Sequence, residues 1–437
     1  MNRITEDFLQ LPAGPRRSRP ARRTAGGASA RLSRPVFLDA GQREQLHRDL
    51  LGLYDLMLAL PERLTDADPV RYGAMLGLTR TQIEVARRTA RPGAPRLARP
   101  DLFEDQDGFK VLEMNATAAL GGIGISWQAR LHLADPVVRE FVESRGLACV
   151  DTVSLIAEEI LAHCESRGIQ GDQPVIAVVD SPAGYRADPA SSEFVAMMFA
   201  ERGFTALPAD ASRLRRRDGG LWLDGTRIDV VYRMFMLEEL VSDADTEPFE
   251  DLFRAQEADE VSMLLPLDVE AHGSKSALAL LSDDRHRDAL DAAERALVDR
   301  VLPWTRTLET GKFQVDGAEV DALDHCLAHR EELVLKPSWL HGGAGVLPGW
   351  TASEQDWREG VAAAIGGPYV VQQRVVPVSE PVRDEETGTL APWLLNWGVF
   401  VVGDAFGGAV VRAEPEATQN GIISQGNDAR LACCFSA

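Results

Sequence analysis

Residues 99–115 read Arg-Pro-Asp-Leu-Phe-Glu-Asp-Gln-Asp-Gly-Phe-Lys-Val-Leu-Glu-Met-Asn. Apolar residues flank an acidic turn that ends in glycine, and this pattern predicts a β-hairpin. Because side chains alternate along a strand, we expect Val111, Glu113 and Asn115 on one face. Asp101 lies on the partner strand, so a tight hairpin would bring three oxygen-bearing side chains together.

These three side chains are candidate metal ligands. Carboxylate and amide oxygens suit a hard cation such as Mg²⁺, which in proteins is usually shared with nucleotide phosphates. We therefore predict that Asp101, Glu113 and Asn115 bind magnesium. The alternative is a surface hairpin with solvated acids, because acidic side chains are mostly exposed.

A second candidate segment lies more than two hundred residues later. Residues 331–337 predict a short apolar strand with Lys336 near its end. A lysine supplies a positive point charge, and glycines let the backbone approach a phosphate closely. The segment lacks the Gly-x4-Gly-Lys-Ser/Thr order of a Walker-type loop. We expect a flap that closes over ATP in the loop at 338–350, through Gly342, Gly343 and Gly345.

Together these motifs resemble the ATP-grasp superfamily, with a Leu-x-Lys-Pro strand, a glycine-rich loop, a later Tyr-Val-Val-Gln-Gln strand and a Glu-x-Asn pair. In the usual order the lysine comes first, whereas here Glu113 and Asn115 precede Lys336. That order resembles the circularly permuted ATP-grasp enzymes, such as glutathionylspermidine synthase. Their Arg-x-Asp motif is matched by Arg99 and Asp101.

The resemblance covers about residues 95–430. It implies an α/β (α+β) fold, a circularly permuted ATP-grasp with a Rossmann-like lobe before it and an N-terminal helical segment. ATP and Mg²⁺ are the implied cofactors. The residues implied at the phosphates and the transferred group are Lys275, Lys336, Arg99 and Arg412. Those implied at the adenine, where a plain strand is the competing account, are Gln372, Gln373 and Val375.

Lys275 and Arg412 also have a physical rationale. Ser274 is a candidate N-cap, which puts Lys275 in a first helical turn, where the helix dipole disfavours a cation unless phosphate compensates. The alternative is a solvent-exposed lysine. Arg412 ends a buried strand, and a guanidinium can meet two oxygens of a transferred phosphoryl group. Its alternative is an ion pair with Glu414 or Glu416.

The second substrate is expected near the metal. The small-residue loop at 116–124 would line an acceptor pocket, because glycines permit a ligand to approach the main chain. An α/β unit at 174–233 ends in an arginine whose forked guanidinium could bind a carboxylate. The alternatives are a tight turn and a surface arginine. The candidate substrate-binding residues are Gly121, Gly122, Ser126, Arg233, Asn420 and Ser424.

Composition describes a globular chain. Of 437 residues, 45% are hydrophobic and 26% charged, as in a soluble protein, and no apolar run approaches membrane-spanning length. The net charge of −21 argues against nucleic acid or a membrane surface as a partner. The five cysteines show neither metal spacing nor a disulfide framework, and no signal peptide is evident, so we expect a cytoplasmic protein.

The chain has room for several domains. Residues 40–90 show a helical pattern with a break expected at Pro61. The predicted divisions are a flexible Arg/Pro/Ala-rich tail at 1–36, a helical segment with the metal-binding part at 37–169, an α/β lobe at 170–265 and the nucleotide-binding lobes at 266–437.

The function that the resemblance implies is that of an ATP-dependent carboxylate-amine ligase. Its partners would be a small-molecule or short-peptide carboxylate and an amine, with no nucleic acid and no membrane; a homodimer is compatible. Two other classes stay open, because fold alone does not decide the acceptor. A phosphotransferase would stop at a phosphorylated product, and a non-catalytic protein would only bind the nucleotide.

Overall fold

The structure is a computed structural model that describes residues 1–11, 31–169, 173–315, 317–383, 388–418, 421–424 and 429–437. The strands in this part are β1 (Val36–Leu38), β2 (Leu97–Asp105), β3 (Gly108–Asn115), β4 (Ile176–Asp180), β5 (Ala206–Asp210), β6 (Leu214–Arg217), β7 (Gly220–Leu223), β8 (Thr226–Ile228), β9 (Val230–Arg233), β10 (Ser262–Met263), β11 (Thr305–Thr307), β12 (Lys312–Val315), β13 (Ala318–Asp321), β14 (Leu333–Pro337), β15 (Leu347–Pro348), β16 (Tyr369–Gln373), β17 (Glu380–Arg383), β18 (Leu390–Val402), β19 (Ala405–Pro415) and β20 (Arg430–Ser436).

The helices are α1 (Arg3–Leu9), α2 (Ala40–Thr65), α3 (Pro69–Met75), α4 (Arg80–Thr89), α5 (Ser126–Leu133), α6 (Pro136–Ser144), α7 (Thr152–Ser166), α8 (Pro182–Ala187), α9 (Pro189–Ala200), α10 (Asp243–Thr246), α11 (Glu250–Glu257), α12 (Leu267–His272), α13 (Lys275–Ser282), α14 (Ala292–Val301), α15 (Ala322–Ala328) and α16 (Glu354–Ala364). None of the described helices has the length and apolar character needed to cross a membrane.

The largest sheet, here called the main sheet, joins strands from both ends of the chain. Its order is β1-β20-β19-β18-β2-β3, and β17 also pairs with β18. The two long strands β18 and β19 turn at Gly403, whose φ of +55° suits glycine. Both strands are buried over most of their length, and helices α2 and α7 pack against β18. The main sheet therefore forms the rigid base of the molecule.

The β2-β3 hairpin confirms the predicted pairing, with Asp101 opposite Glu113 and Arg99 opposite Asn115. The expectation that Val111 shares the face of Glu113 is wrong. A register shift after Asp101 leaves one extra residue in β3, because Leu102 pairs with Val111 while Asp101 pairs with Glu113. Such a bulge changes the alternation. Val111 is fully buried in the core, whereas Glu113 faces an open cleft.

Two smaller sheets flank the main one. The parallel sheet has the order β10-β9-β4-β5, and α9 packs against β4 and β5, as the alternating strand and helix pattern predicted. The other, here called the Lys336 sheet, is antiparallel with the order β11-β16-β14-β15. It has a hydrophobic core of its own, centred on the fully buried Trp357.

Two expectations fail near the start of the chain. Residues 3–9 of the predicted tail form α1, and Phe8 packs edge-on against Phe141 of α6. Residues 12–30 of that tail lie outside the described residues. Pro61 does not end the second helix, which continues to Thr65. A proline there removes one backbone hydrogen bond, but packing of the buried helix face keeps the last turn in place. The predicted domain limits stay a prediction.

Candidate active site

A cleft of about 400 Å³ opens between the main sheet and the Lys336 sheet. Its walls bring together polar side chains from segments that lie far apart in the sequence. The main sheet contributes Arg99, Asp101, Glu113, Asn115, Asn396 and Arg412. The Lys336 sheet contributes Lys336, Gln372 and Gln373. The two segments singled out in the sequence therefore line one cleft.

The three predicted metal ligands lie together on the cleft wall. Asn115 donates its side-chain N–H to the carbonyl of Arg99 at 3.0 Å, which leaves its oxygen towards His341 Nδ1 at 3.1 Å. Glu113 and Asp101 stand opposite each other across the hairpin. Within the described chain no group of three His, Cys, Asp or Glu side chains could hold a metal. Two carboxylates and an amide nevertheless fit Mg²⁺, which binds few protein ligands and keeps water and phosphate oxygens.

Glu113 carries a negative charge that neighbouring cations stabilise. Its Oε2 lies 3.2 Å from the Nζ of Lys275. Burial alone would raise the pKa of the Glu113 carboxyl, but the charges of Lys275 and Lys336 outweigh burial and hold this pKa well below its ordinary value. The carboxylate is thus ionised at neutral pH, as a metal ligand must be.

Lys336 joins the two halves of the cleft. Its Nζ donates to Gln372 Oε1 at 2.6 Å and to the carbonyl of Leu112 at 3.4 Å. Burial lowers the pKa of Lys336 to about 8, although the charge of Glu113 acts in the opposite direction. A phosphate group would replace part of the lost hydration and favour the charged lysine.

Lys275 begins α13, and Ser274 caps that helix by accepting a hydrogen bond from the backbone N–H of Ala277 at 3.2 Å. The lysine is 4% exposed, so the alternative of a solvent-exposed side chain is excluded. Its Nζ donates to the carbonyl of Leu340 at 2.7 Å. Lys275 therefore links the glycine loop to Glu113 and lies behind the cleft wall, where it lines a small adjoining cavity.

Two arginines share one carboxylate in the cleft. Arg99 Nε lies 3.0 Å from Asp101 Oδ1, and Arg412 Nη1 lies 3.4 Å from Asp101 Oδ2. Arg412 also donates to the side-chain oxygen of Asn396 at 3.3 Å, and Arg99 donates to the carbonyl of Gly121 at 2.7 Å. Two positive charges against one negative charge leave a surplus that can attract an anion. The observed ion pair of Arg412 is with Asp101.

One end of the cleft is apolar. Phe103 and Ile423 belong to a small hydrophobic cluster, and Leu112 and Val375 pack at its edge. Across the cleft, the guanidinium of Arg374 lies over the ring of Trp350, 4.2 Å from its centroid; both side chains line the cleft. A flat heteroaromatic ring would find apolar contacts on this side, since apolar and aromatic side chains line most small-molecule sites.

The glycine loop covers part of the cleft. Gly342 and Gly343 line it with φ values of +66° and +85°, a left-handed conformation that favours glycine. Gly345 has a φ of +68° but turns away, and a Cβ atom there would meet Pro337 at 2.8 Å. Gly345 thus shapes the loop without lining the cleft.

The structure divides the predicted substrate-binding residues. Gly121 and Ser424 line the cleft. Gly122 is instead packed against Val410, so that a Cβ atom would lie 2.7 Å from it, and the Ser126 hydroxyl lies 3.4 Å from an oxygen of Asp151. Neither Gly122 nor Ser126 lines the cleft. Asn420 lies outside the described residues.

Arg233 does not lie in the cleft either. It is fully buried, and Nη1 lies 2.6 Å from an oxygen of Glu270, while Nε donates to the carbonyl of Leu265 at 2.9 Å. The end of β9 is covered by the chain that leads into α12, so the guanidinium is enclosed by protein. The expectation that Arg233 binds substrate is therefore corrected: the arginine fastens the segments that follow the parallel sheet.

Three cleft residues were missed in the sequence. Asn396 interrupts the apolar run of β18, and a polar residue in a buried strand is a signal that could have revealed it. Burial, followed by the charge of Lys275, lowers the pKa of His341 to about 4. Burial, followed by the charge of Glu270, raises the pKa of Glu238 to about 7. Glu238 and His341 lie in loops, where sequence alone showed no pattern.

Comparison with known proteins identifies the fold. No family model and no curated protein matches the sequence. Among solved structures, the chain is similar to a glutathione synthetase-like effector from Globodera pallida, with a TM-score of 0.56 and 12% identity over 93% of this chain and 90% of that one. The chain therefore shares the fold of that protein, a mixed α/β fold as the sequence predicted.

Two other similarities are weaker. A proposed γ-glutamylcysteine synthetase from Methylobacillus flagellatus has a TM-score of 0.45 and 13% identity, over 86% of each chain. A D-alanyl-alanine synthetase A from Vibrio cholerae has a TM-score of 0.29 and 12% identity, over 53% of this chain and 69% of that one. The circular permutation and the likeness to glutathionylspermidine synthase stay predictions.

Proposed function

We propose that this protein is an ATP-dependent carboxylate-amine ligase that joins a small acid to an amine through an acyl phosphate. The observation that carries the proposal is the meeting of two distant segments. Lys336 Nζ touches the carbonyl of Leu112, the residue next to Glu113. A phosphate held by Lys336 would therefore lie beside the metal-type oxygens of Glu113 and Asn115.

The cleft has a place for each part of MgATP. The apolar end formed by Phe103, Leu112 and Val375 would take the adenine, while Lys336 and the glycine loop would take the phosphates. Asp101, Glu113 and Asn115 would hold Mg²⁺, which when bound neutralises phosphate charge. That the fold is circularly permuted is part of this proposal, since the metal-type residues precede Lys336 in the chain.

The chemistry needs no covalent enzyme nucleophile. A carboxylate oxygen of the acid attacks the γ-phosphorus, the bond to the β-phosphate oxygen breaks, and ADP leaves. The amine nitrogen then bonds to the acyl carbon, phosphate departs, and the nitrogen loses a proton. Arg99 and Arg412 would stabilise the transferred phosphoryl group, because charge develops on its oxygens in the transition state.

A hydroxylamine trap tests the proposal. The protein is incubated with Mg²⁺, ATP, hydroxylamine and a panel of amino acids, short peptides and other carboxylic acids, and both hydroxamate and ADP are measured. We expect hydroxamate with at least one acid. Lys336→Met should abolish it, whereas the control Lys312→Met should not, because Lys312 is exposed and its Nζ pairs with Glu319 on the neighbouring strand.

The same assay separates the alternatives. A phosphotransferase would release ADP with a suitable acceptor and give no hydroxamate with any acid. A non-catalytic protein would bind ATP and release neither product. Either result would refute the ligase proposal, and equal hydroxamate yields from the two lysine variants would refute the assigned site.

A further inference from the structure

Glu238 is a cleft carboxyl group that the proposed ligase chemistry leaves unused. It lies on the short 3-10 turn Leu237–Glu239 after β9, and its side chain lines the cleft near Thr117 and Met236. Its Oε2 is buried and accepts no hydrogen bond in the described part of the chain. Burying a carboxylate oxygen without a hydrogen-bond donor is unfavourable, so a bound molecule that donates a hydrogen bond to this oxygen would be stabilised.

Two neighbouring glutamates, Glu270 and Glu239, have the hydrogen-bond donors that Glu238 lacks. Glu270 accepts from the guanidinium of Arg233 at 2.6 Å and from a backbone N–H. Glu239 accepts from the backbone N–H of Met236 at 2.8 Å and is exposed. Of these three carboxylates, the one that faces the cleft is the one with an unsatisfied oxygen.

The neighbouring His341 does not supply the missing donor. His341 Nε2 lies 3.5 Å from Glu238 Oε2 without forming a hydrogen bond. The other ring nitrogen, Nδ1, faces the side-chain oxygen of Asn115, and the amide nitrogen of that Asn115 is already bound to the carbonyl of Arg99. In the tautomer that donates from Nδ1, the nitrogen that faces Glu238 is an acceptor.

We infer that Glu238 is the recognition residue for the amine substrate, which enters the cleft as a primary ammonium ion. An ammonium group carries three N–H donors and a positive charge, so it can donate to Glu238 and to His341 at once. It gives up one proton to water before its nitrogen bonds to the acyl carbon, and a second proton leaves as the amide forms. This inference rests on the proposed ligase function. It adds that the amine is a primary amine and that it binds at the part of the cleft that Glu238 lines. Glu238 comes from the segment that follows β9 of the parallel sheet, whereas Phe103 and Leu112 of the apolar end belong to the β2-β3 hairpin.

The test compares Glu238→Gln with the matched control Glu239→Gln. Each variant replaces one carboxyl group of the same turn with an amide of the same size, but of the two residues Glu238 is the one that lines the cleft. Hydroxamate formation with the best acid is measured against increasing 1,3-diaminopropane, with uncharged 1,3-propanediol as the control compound. In parallel, the change in Tm that each compound causes is measured with no acid or ATP present, which reports binding without catalysis.

In the wild-type protein and in Glu239→Gln, the diamine should lower the hydroxamate yield and raise Tm, while the diol should do neither. In Glu238→Gln, the diamine should be at least about tenfold less effective, measured against the hydroxamate that this variant forms without diamine, as expected when a hydrogen bond to a charged group is lost. The rise in Tm should disappear.

Equal effects of the diamine on wild type and Glu238→Gln would overturn the inference, as would a wild-type protein that does not respond to the diamine in either measurement. If no acid gives hydroxamate, the ligase proposal fails by itself, and the Tm series still decides whether the ammonium site exists.

Discussion

Two clusters of buried arginine and carboxylate differ in charge balance and in surroundings. In the cleft cluster, Arg99 and Arg412 flank Asp101 and all three side chains line an open cavity. In the core cluster, Arg233 and Glu270 pair one to one and protein encloses them. The sequence analysis assigned an anion-binding role to an arginine in each cluster: Arg412 to the transferred phosphoryl group and Arg233 to a substrate carboxylate.

The difference shows what distinguishes a binding arginine from a structural one. The core cluster is neutral as a pair, and Arg233 donates to Glu270 and to the carbonyls of Leu265 and Phe235. Its Nη2 has no hydrogen-bond partner among the described residues, but the side chain is fully buried, so it is not open to an anion in the cleft. The cleft cluster has one cation in excess and can accept phosphate or carboxylate without breaking the fold. Burial alone does not separate the two, because Arg412 is only 8% exposed and Arg233 is fully buried.

The largest effect is expected in the core cluster. Arg233→Met leaves Glu270 buried without its partner and should lower the free energy of unfolding by about 3–5 kcal/mol. Denaturant unfolding measures this loss. The double variant Arg233→Met, Glu270→Leu should recover much of it, because it removes the unpaired charge. A soluble, fully stable Arg233→Met protein with a reduced affinity for substrate would instead place Arg233 among the ligands and break the comparison.

A substitution in the cleft cluster should change the reaction rate more than the stability. Arg412→Met should reduce the rate of hydroxamate formation by about 10²–10³-fold, the usual effect of removing one donor to a transition-state oxyanion. Its Tm should change little, because Arg99 still pairs with Asp101. Kinetics and thermal unfolding are measured on the same preparation. A loss of stability as large as that of Arg233→Met would show that the two clusters have the same structural role.

A third cation of the cleft should be visible in the pH dependence of ATP binding. With the pKa of Lys336 at about 8, the lysine is charged at pH 7 and loses its proton as the pH rises through 8. MgATP affinity should therefore fall by about tenfold as the pH rises from neutral to one unit above this pKa. Titration calorimetry from pH 7 to 9 measures the slope. Lys336→Met should bind weakly at every pH, and the same slope in that variant would assign the effect to another group.

The smallest effect tests how Lys275, behind the cleft wall, is held in place. Ser274→Ala removes the cap of the helix that begins with Lys275 and should lower stability by about 1 kcal/mol. We expect a modest decrease in Tm and a weaker affinity for MgATP, because the cap fixes the position of the lysine. Ser353→Ala, at the cap of α16, is the matched control, and it should lower Tm to a similar extent without changing the affinity for the nucleotide.

The sequence predicted the parts of the site that depend on local pattern. The β2-β3 hairpin, the cap before Lys275 and the strand with Lys336 each follow from residues close together in the chain. What it could not predict depends on contacts made across the fold. Arg233 was misassigned because its partner Glu270 lies on a different element, and Glu238 was missed because its environment comes from the glycine loop.

The extra residue in β3 forms hydrogen bonds between the main sheet and the Lys336 sheet. Leu112 sits at the point where the ladder slips, and its carbonyl lies within 3.4 Å of both Lys336 Nζ and Gln372 Nε2. A hairpin shortened by that one amino acid could still keep Asp101 opposite Glu113. It would lack the Leu112 carbonyl oxygen that accepts hydrogen bonds from the Lys336 sheet. The bulge in β3 therefore connects the main sheet to the Lys336 sheet.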